Sequence, residues 1–157
     1  MENIVLCRID DRLIHGQVMT AWLQYVEGNH IVIVDDGVSK DEFTISIMQM
    51  SVPQGVKLTV IPVSKAGETM NSIPDTDRVI ILVKIPEVCI EMQKQGINLK
   101  KVVIGGMGSK KGRKKFYKNV SASNEEKKAF QQLIDSGVDT FIQILPEDKI
   151  KKIDNLL

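Results

Sequence analysis

The sequence predicts an α/β fold: an open, mostly parallel twisted sheet of six or seven strands with helices on both faces, built as a single domain over residues 1–157. Three observations carry this. Short runs rich in Val and Ile recur along the chain, most of them nearly continuous rather than alternating, as expected for strands covered on both faces. Helical signals fall in the gaps between them. No linker, internal repeat or low-complexity stretch interrupts the series, one basic run apart.

The strand candidates are NIVLCRI (3–9), HIVIVDD (30–36), KLTVIPV (57–63), RVIILVK (78–84), KKVVIGG (100–106) and TFIQILP (140–146). A weaker run, FYKNV (116–120), is expected to add an edge strand. Between the first two strands, GQVMTAWLQYV places Val18, Ala21, Trp22 and Tyr25 on one helical face. SKDEFTISIMQM opens with Ser39 and Glu42 at capping-box spacing. SKAGETMNSI (64–73) reads as a short helix. PEVCIEMQKQG sets Pro86 at a helix start and Gly96 at its stop. SNEEKKAFQQLIDSG repeats the capping box with Ser123 and Glu126 and stops at Gly137. The last segment, PEDKIKKIDNLL, is expected to form a terminal helix.

A chain of 157 residues suffices for one domain with a full core, and its formal net charge of +1 confines any electrostatic function to a local patch. Cys7 and Cys89 stand far apart with no CxxC spacing, which argues against a disulfide framework or a zinc site. The start shows no signal-peptide pattern and no run is long enough to span a bilayer, so the chain reads as soluble and cytoplasmic.

The densest chemistry lies in CRIDDRLIHGQV, just after the first strand. In an open α/β sheet that position faces the crevice beyond the carboxyl ends of the strands. Gly16 and Gln17 fall where the next helix begins, so free backbone N–H groups would hold an anion near His15. His15 offers a nucleophilic imidazole. Arg8 and Arg12 could flank it, bind phosphate oxygens and favour the uncharged ring, while Asp10 or Asp11 could orient it through a nitrogen-bound proton. The set suits phosphoryl acceptance, though a solvated loop with ordinary ion pairs would use the same residue types.

The segment RIDDRLIHGQV with the following Trp22 resembles the signature of the enzyme IIB component of the mannose/fructose/sorbose family of sugar phosphotransferase systems. IVIVDDGVSKDEF, VPQGVKLTVIPVSKA and VVIGGMGSKKGRKKFYKNVSASNEE continue the resemblance in order over nearly the whole chain. The resemblance implies a phosphocarrier. His15 would take a phosphoryl group on its Nδ1 from a phosphohistidine of enzyme IIA and pass it to a sugar entering through the membrane subunits IIC and IID. Arg8 and Arg12 would stabilise the charge, with Asp10, Asp11, Gly16 and Gln17 in support.

Other features are weaker. In GGMGSKKG, Gly106 and Gly108 lack the third glycine of a dinucleotide motif, and no phosphate-binding GxxxxGK[ST] exists, so no cofactor is expected; the two glycines could still line the phosphate site. The run from Lys110 to Lys118 holds six basic residues in nine. It suits docking to an acidic partner or lipid surface better than nucleic acid, because stacking aromatics are few. Asp35 and Asp36, with Asp10 and Asp11, leave an Mg²⁺-dependent phospho-aspartate domain as an alternative, although the third strand ends without an acceptor aspartate. No metal site is expected, and His30 reads as structural.

Overall fold

The computed structural model describes residues 3–157. The chain runs β1 (Ile4–Asp10), α1 (Gly16–Val26), β2 (His30–Val34), α2 (Asp36–Ser39), α3 (Glu42–Ser51), β3 (Lys57–Ile61), α4 (Ala66–Ser72), β4 (Val79–Val83), α5 (Pro86–Lys94), β5 (Lys101–Gly106), β6 (Lys114–Tyr117), β7 (Val120–Ala122), α6 (Asn124–Asp135), β8 (Asp139–Ile142) and β9 (Lys151–Lys152). Seven strands form one sheet in the order β3-β2-β4-β1-β5-β8-β9, all parallel except β9, which pairs antiparallel with β8. The open parallel sheet expected from the sequence is therefore present, with seven strands.

Alternate residues of each strand enter opposite cores, as the period of two requires. On one face, Ile31, Ile33, Ile80 and Leu82 pack against Met19, Trp22 and Leu23 of α1, with Ile45 and Met48 of α3 at the margin. On the other, Val32, Val34, Ile81, Val83 and Ile104 pack against α4, α5 and α6 through Met70, Met92 and Phe130. Burial on both faces is why the strands read as continuous apolar runs.

Local signals explain most helix ends. Ser123 Oγ accepts from the Glu126 N–H at 3.0 Å while Glu126 Oε1 accepts from the Ser123 N–H at 2.9 Å, completing the expected capping box of α6. Pro86 opens α5. The Ser39–Glu42 box does not form. Ser39 ends the separate short helix α2, capped by Asp35, and Asp41 caps α3 by accepting from the Thr44 N–H at 3.1 Å. An ionised aspartate one residue before the helix provides the stronger acceptor.

Two further expectations are corrected. Residues 116–120 do not extend the main sheet: β6 and β7 form a separate antiparallel hairpin, Tyr117 opposite Val120, turning at Lys118 with φ +48. Phe116 stacks on Phe130 of α6, which holds the hairpin on the helix layer instead of in the sheet. The terminal segment is not an α-helix. A loop stapled by Gln143 Nε2, which donates to the carbonyls of Pro146 and Asp148, leads to β9 and a 3₁₀ turn over Asp154–Leu156. Ile153 is its one fully buried residue, too few anchors for an amphipathic helix.

Cys7 and Cys89, distant in sequence, meet in the core as free thiols with their Sγ atoms 4.0 Å apart. The Cys7 contact and burial push the Cys89 thiol well above its usual value. His30 is locked between Asp77 Oδ2, 3.0 Å from Nδ1, and Thr59 Oγ1, 2.7 Å from Nε2, the structural setting expected of it.

Candidate functional site

The chain leaves β1 toward β2 and leaves β5 toward β8, in opposite directions across the sheet. A crevice therefore opens beyond the carboxyl ends of β1 and β5, where Asp10 lies opposite Gly106. Every candidate site residue from the sequence lies on the strand ends, loops or helix start at this edge.

Arg8 is fully buried, an unusual place for a guanidinium. Its Nη1 donates to Asp10 Oδ2 at 2.6 Å and its Nη2 to the Ile144 carbonyl at 3.1 Å. The same carbonyl accepts from Trp22 Nε1 at 2.9 Å, so one loop oxygen ties β1, α1 and the segment after β8 together. Arg8 thus braces the site from within and presents no face to a ligand. Arg12 is the opposite: its side chain is 67% exposed, with Nε 3.8 Å from Asp10 Oδ1. Of the two arginines that the sequence offers, Arg12 is the one able to reach an arriving anion.

Asp10 collects the site. It is buried and accepts from Arg8, from the Arg12 backbone N–H at 2.9 Å and from His15 Nε2 at 2.7 Å. Burial pushes its carboxyl up, but the Arg12 N–H, His15 and Arg8 together hold it below the usual carboxylate range. An ionised carboxylate can only accept, so Nε2 of His15 donates. In the neutral ring the proton is then on Nε2 and the nucleophilic lone pair is on Nδ1.

His15 stands at the N-cap of α1 in extended backbone, its side chain making no cap bond and 17% exposed. The first-turn amides of Gly16, Gln17 and Val18 precede any intrahelical acceptor and face outward at the positive end of the helix dipole. Two left-handed residues shape the approach: Leu13, φ +57 with its side chain buried in the α1 layer, and Gly16, φ +44 in open space. The buried leucine pins the loop, and the glycine lets the backbone turn into the helix without a Cβ penalty.

Asp11 serves the neighbouring loop. Its carboxylate accepts from the Gly108 N–H at 2.7 Å and from Arg113 Nη1 at 2.9 Å. Arg113 in turn grips Glu126 through two bonds of 2.9 Å, Nε to Oε1 and Nη2 to Oε2. The Gly106–Gly108 turn is thereby fastened beside the His15 loop, and a Cβ at residue 106 would come within 2.8 Å of Asp10 Oδ1. Asp35 and Asp36 serve backbone groups elsewhere, accepting from the N–H groups of Val38 and Val63.

Sequence reasoning missed Arg113 as a separate case within the basic run, and missed Gly105, Trp22 Nε1 and the Ile144 carbonyl. The lone arginine among five lysines was the available signal, since bidentate carboxylate pairing favours Arg. Chemically, the site offers an oriented ring nitrogen, an exposed guanidinium and free helix amides. That combination fits acceptance of a phosphoryl group. Among the described residues no cluster of His, Cys, Asp and Glu could hold a metal ion.

The chain resembles known proteins over nearly its whole length. Residues 4–157 match the family described as "PTS system sorbose subfamily IIB component". The chain is 35% identical over 150 residues to the "PTS system fructose-specific EIIB component" of Bacillus subtilis, covering 94% of this chain and 91% of that one. It is 31% identical over 153 residues to the "PTS system mannose-specific EIIAB component" of Escherichia coli, covering 96% of this chain and 47% of the larger protein. The crystal structure of the IIBSor domain of the sorbose permease from Klebsiella pneumoniae superposes with a TM-score of 0.91 at 32% identity, covering 98% of this chain and 94% of that one.

Proposed function

This chain belongs to the sorbose subfamily of phosphotransferase-system IIB components, and from that premise we propose that it carries the phosphoryl group on Nδ1 of His15. The observation that supports this atom is the 2.7 Å contact between Asp10 and Nε2, which leaves Nδ1 as the nucleophile. The Nδ1 lone pair attacks the phosphorus of a phosphohistidine on enzyme IIA. The donor's P–N bond breaks and its electron pair returns to the donor ring. Arg12 and the amides of Gly16 and Gln17 take up charge on the three phosphoryl oxygens, and Asp10 stabilises the ring as it gains positive character. Arg8 is a positioning residue that acts through Asp10. Gly106, Gly108 and Asp11 close the side of the crevice.

The acceptor is the sugar at the membrane subunits IIC and IID, and the domain over residues 1–157 carries the group between donor and acceptor. The fused EIIAB relative supports enzyme IIA as the donor. No helix among the described residues is long and apolar enough to cross a membrane, in keeping with a cytoplasmic shuttle peripheral to the permease.

The test is labelling with phosphoenolpyruvate, the general phosphotransferase proteins and a IIA domain of this family. The chain should acquire acid-labile, base-stable phosphate at His15. His15→Ala should acquire none and His30→Gln should label normally. Equal labelling of His15→Ala would overturn the assignment.

A further inference from the structure

We propose that the β6–β7 hairpin and the loop before β9 form a docking surface for anionic lipid headgroups, beside the His15 edge of the sheet. Lys110, Lys111, Lys114, Lys115 and Lys118 are all exposed, and none forms an ion pair among the described residues. The run carries no acidic residue, so with a total charge of +1 the rest of the chain is net negative. The positive charge is therefore concentrated in this segment. Lys151 joins it at Tyr117: its Nζ and that of Lys118 each lie 5.5 Å from the ring centroid. Lys149 lines the same cleft, of about 560 Å³, and exposed Ile144 and Ile150 stand among these lysines. The Ile144 carbonyl is the oxygen that Arg8 and Trp22 hold, which ties the cleft wall to the phosphoryl site.

The chemistry of the patch selects its partner. Protein interfaces favour Arg and aromatic anchors and are depleted in Lys. Here the one Arg of the run, Arg113, is turned inward to Asp11 and Glu126, and the five lysines of the run face out, with Glu147 and Asp148 as the exposed acidic residues of the loop before β9. Nucleic acid would call for open stacking rings, and Tyr117 is half-buried beneath two lysines. Unpaired lysines around isolated isoleucines match a surface of anionic headgroups, on which ammonium groups act as point charges and the isoleucines reach the acyl boundary. The proposal goes beyond the phosphocarrier reading and does not depend on it.

The experiment is sedimentation of the full chain with vesicles of phosphatidylcholine alone and of phosphatidylcholine mixed equally with phosphatidylglycerol. Binding should appear only on the mixed vesicles and fade at high salt. The Lys114→Gln/Lys115→Gln/Lys118→Gln variant should bind about a hundredfold more weakly, at about fivefold per lysine, and should still be phosphorylated in solution. Its unchanged thermal midpoint checks the fold. Equal binding to neutral vesicles, no binding to either, an unaffected triple variant, or stronger capture by duplex DNA or polyglutamate than by anionic vesicles would each overturn the proposal. Loss of labelling at His15 with vesicle binding intact would instead strike the phosphocarrier reading alone.

Discussion

Gly105 leaves the space that the Arg8 guanidinium fills: a Cβ built on residue 105 would lie 2.1 Å from Arg8 Cζ and 2.6 Å from its Nε. The glycine thus stands in the strand to let a fully buried cation lie across its neighbour. Gly105→Ala should force Arg8 off its bonds to Asp10 and Ile144. We expect a loss of about 1–3 kcal/mol in urea unfolding from overpacking and a fall of at least about tenfold in phosphoryl transfer from misplacement of Asp10. Ala122→Gly, removing a methyl from a buried site away from Arg8, should lower stability without changing transfer per folded molecule.

Asp10→Asn tests the tautomer. The carboxylate can only accept from Nε2, whereas an amide can also donate, which would allow the proton to sit on Nδ1. The variant should show a mixed ring tautomer by nitrogen NMR and transfer should fall by about a hundredfold or more, as the ring loses both orientation and its counter-charge. An unaltered tautomer with normal transfer would detach Asp10 from the mechanism.

Two buried carboxylates contribute to the acid limb of stability. Burial pushes Asp10 and Glu126 up, but hydrogen bonds to the Arg12 N–H, His15 and Arg8 in one case, and to Arg113 and Ser123 in the other, hold both below their ordinary values. The folded state therefore binds these protons less readily than the unfolded state. Their stabilisation is complete above the unfolded carboxylate range, about pH 4, and is lost as pH falls through the lower folded values. The urea midpoint should drop over that window, and Glu126→Gln should flatten the drop.

Much of this was legible in the chain. Continuous Val and Ile runs announce a sheet covered twice, and Gly16 after His15 announces a helix start at a strand end. What stayed hidden depends on neighbours distant in sequence. Asp10, two residues on, is a local partner for Arg8, but that Arg8 points into the core depends on the carbonyl of Ile144, 136 residues away. Gly106 and Gly108 read as turn glycines, yet residue 106 also clears Asp10 and Gly105 clears Arg8, a demand visible only once β5 is registered beside β1. The hairpin reads as an edge strand because apolar alternation does not say which sheet a strand joins. The tail reads as a helix because its charge pattern allows one, and only the single anchor Ile153 argues otherwise.

The sharpest contrast within one short run is between Arg113 and Lys114. Arg113 is buried and bridges Asp11 on the site loop to Glu126 on α6, whereas Lys114 is exposed and makes no ion pair among the described residues. Removing Arg113 strands Glu126, itself buried, without its counter-charge. Arg113→Gln should cost about 3 kcal/mol, and Lys114→Gln should stay within about 0.5 kcal/mol. Arg113→Lys should not rescue, since one ammonium cannot reproduce two bonds to Glu126 and the bond to Asp11. Adding Glu126→Gln to Arg113→Gln should recover part of the loss, because the stranded charge is then neutral. A double-mutant cycle in urea would measure that coupling, and purely additive costs would mean that the pair is not the clasp between the two elements.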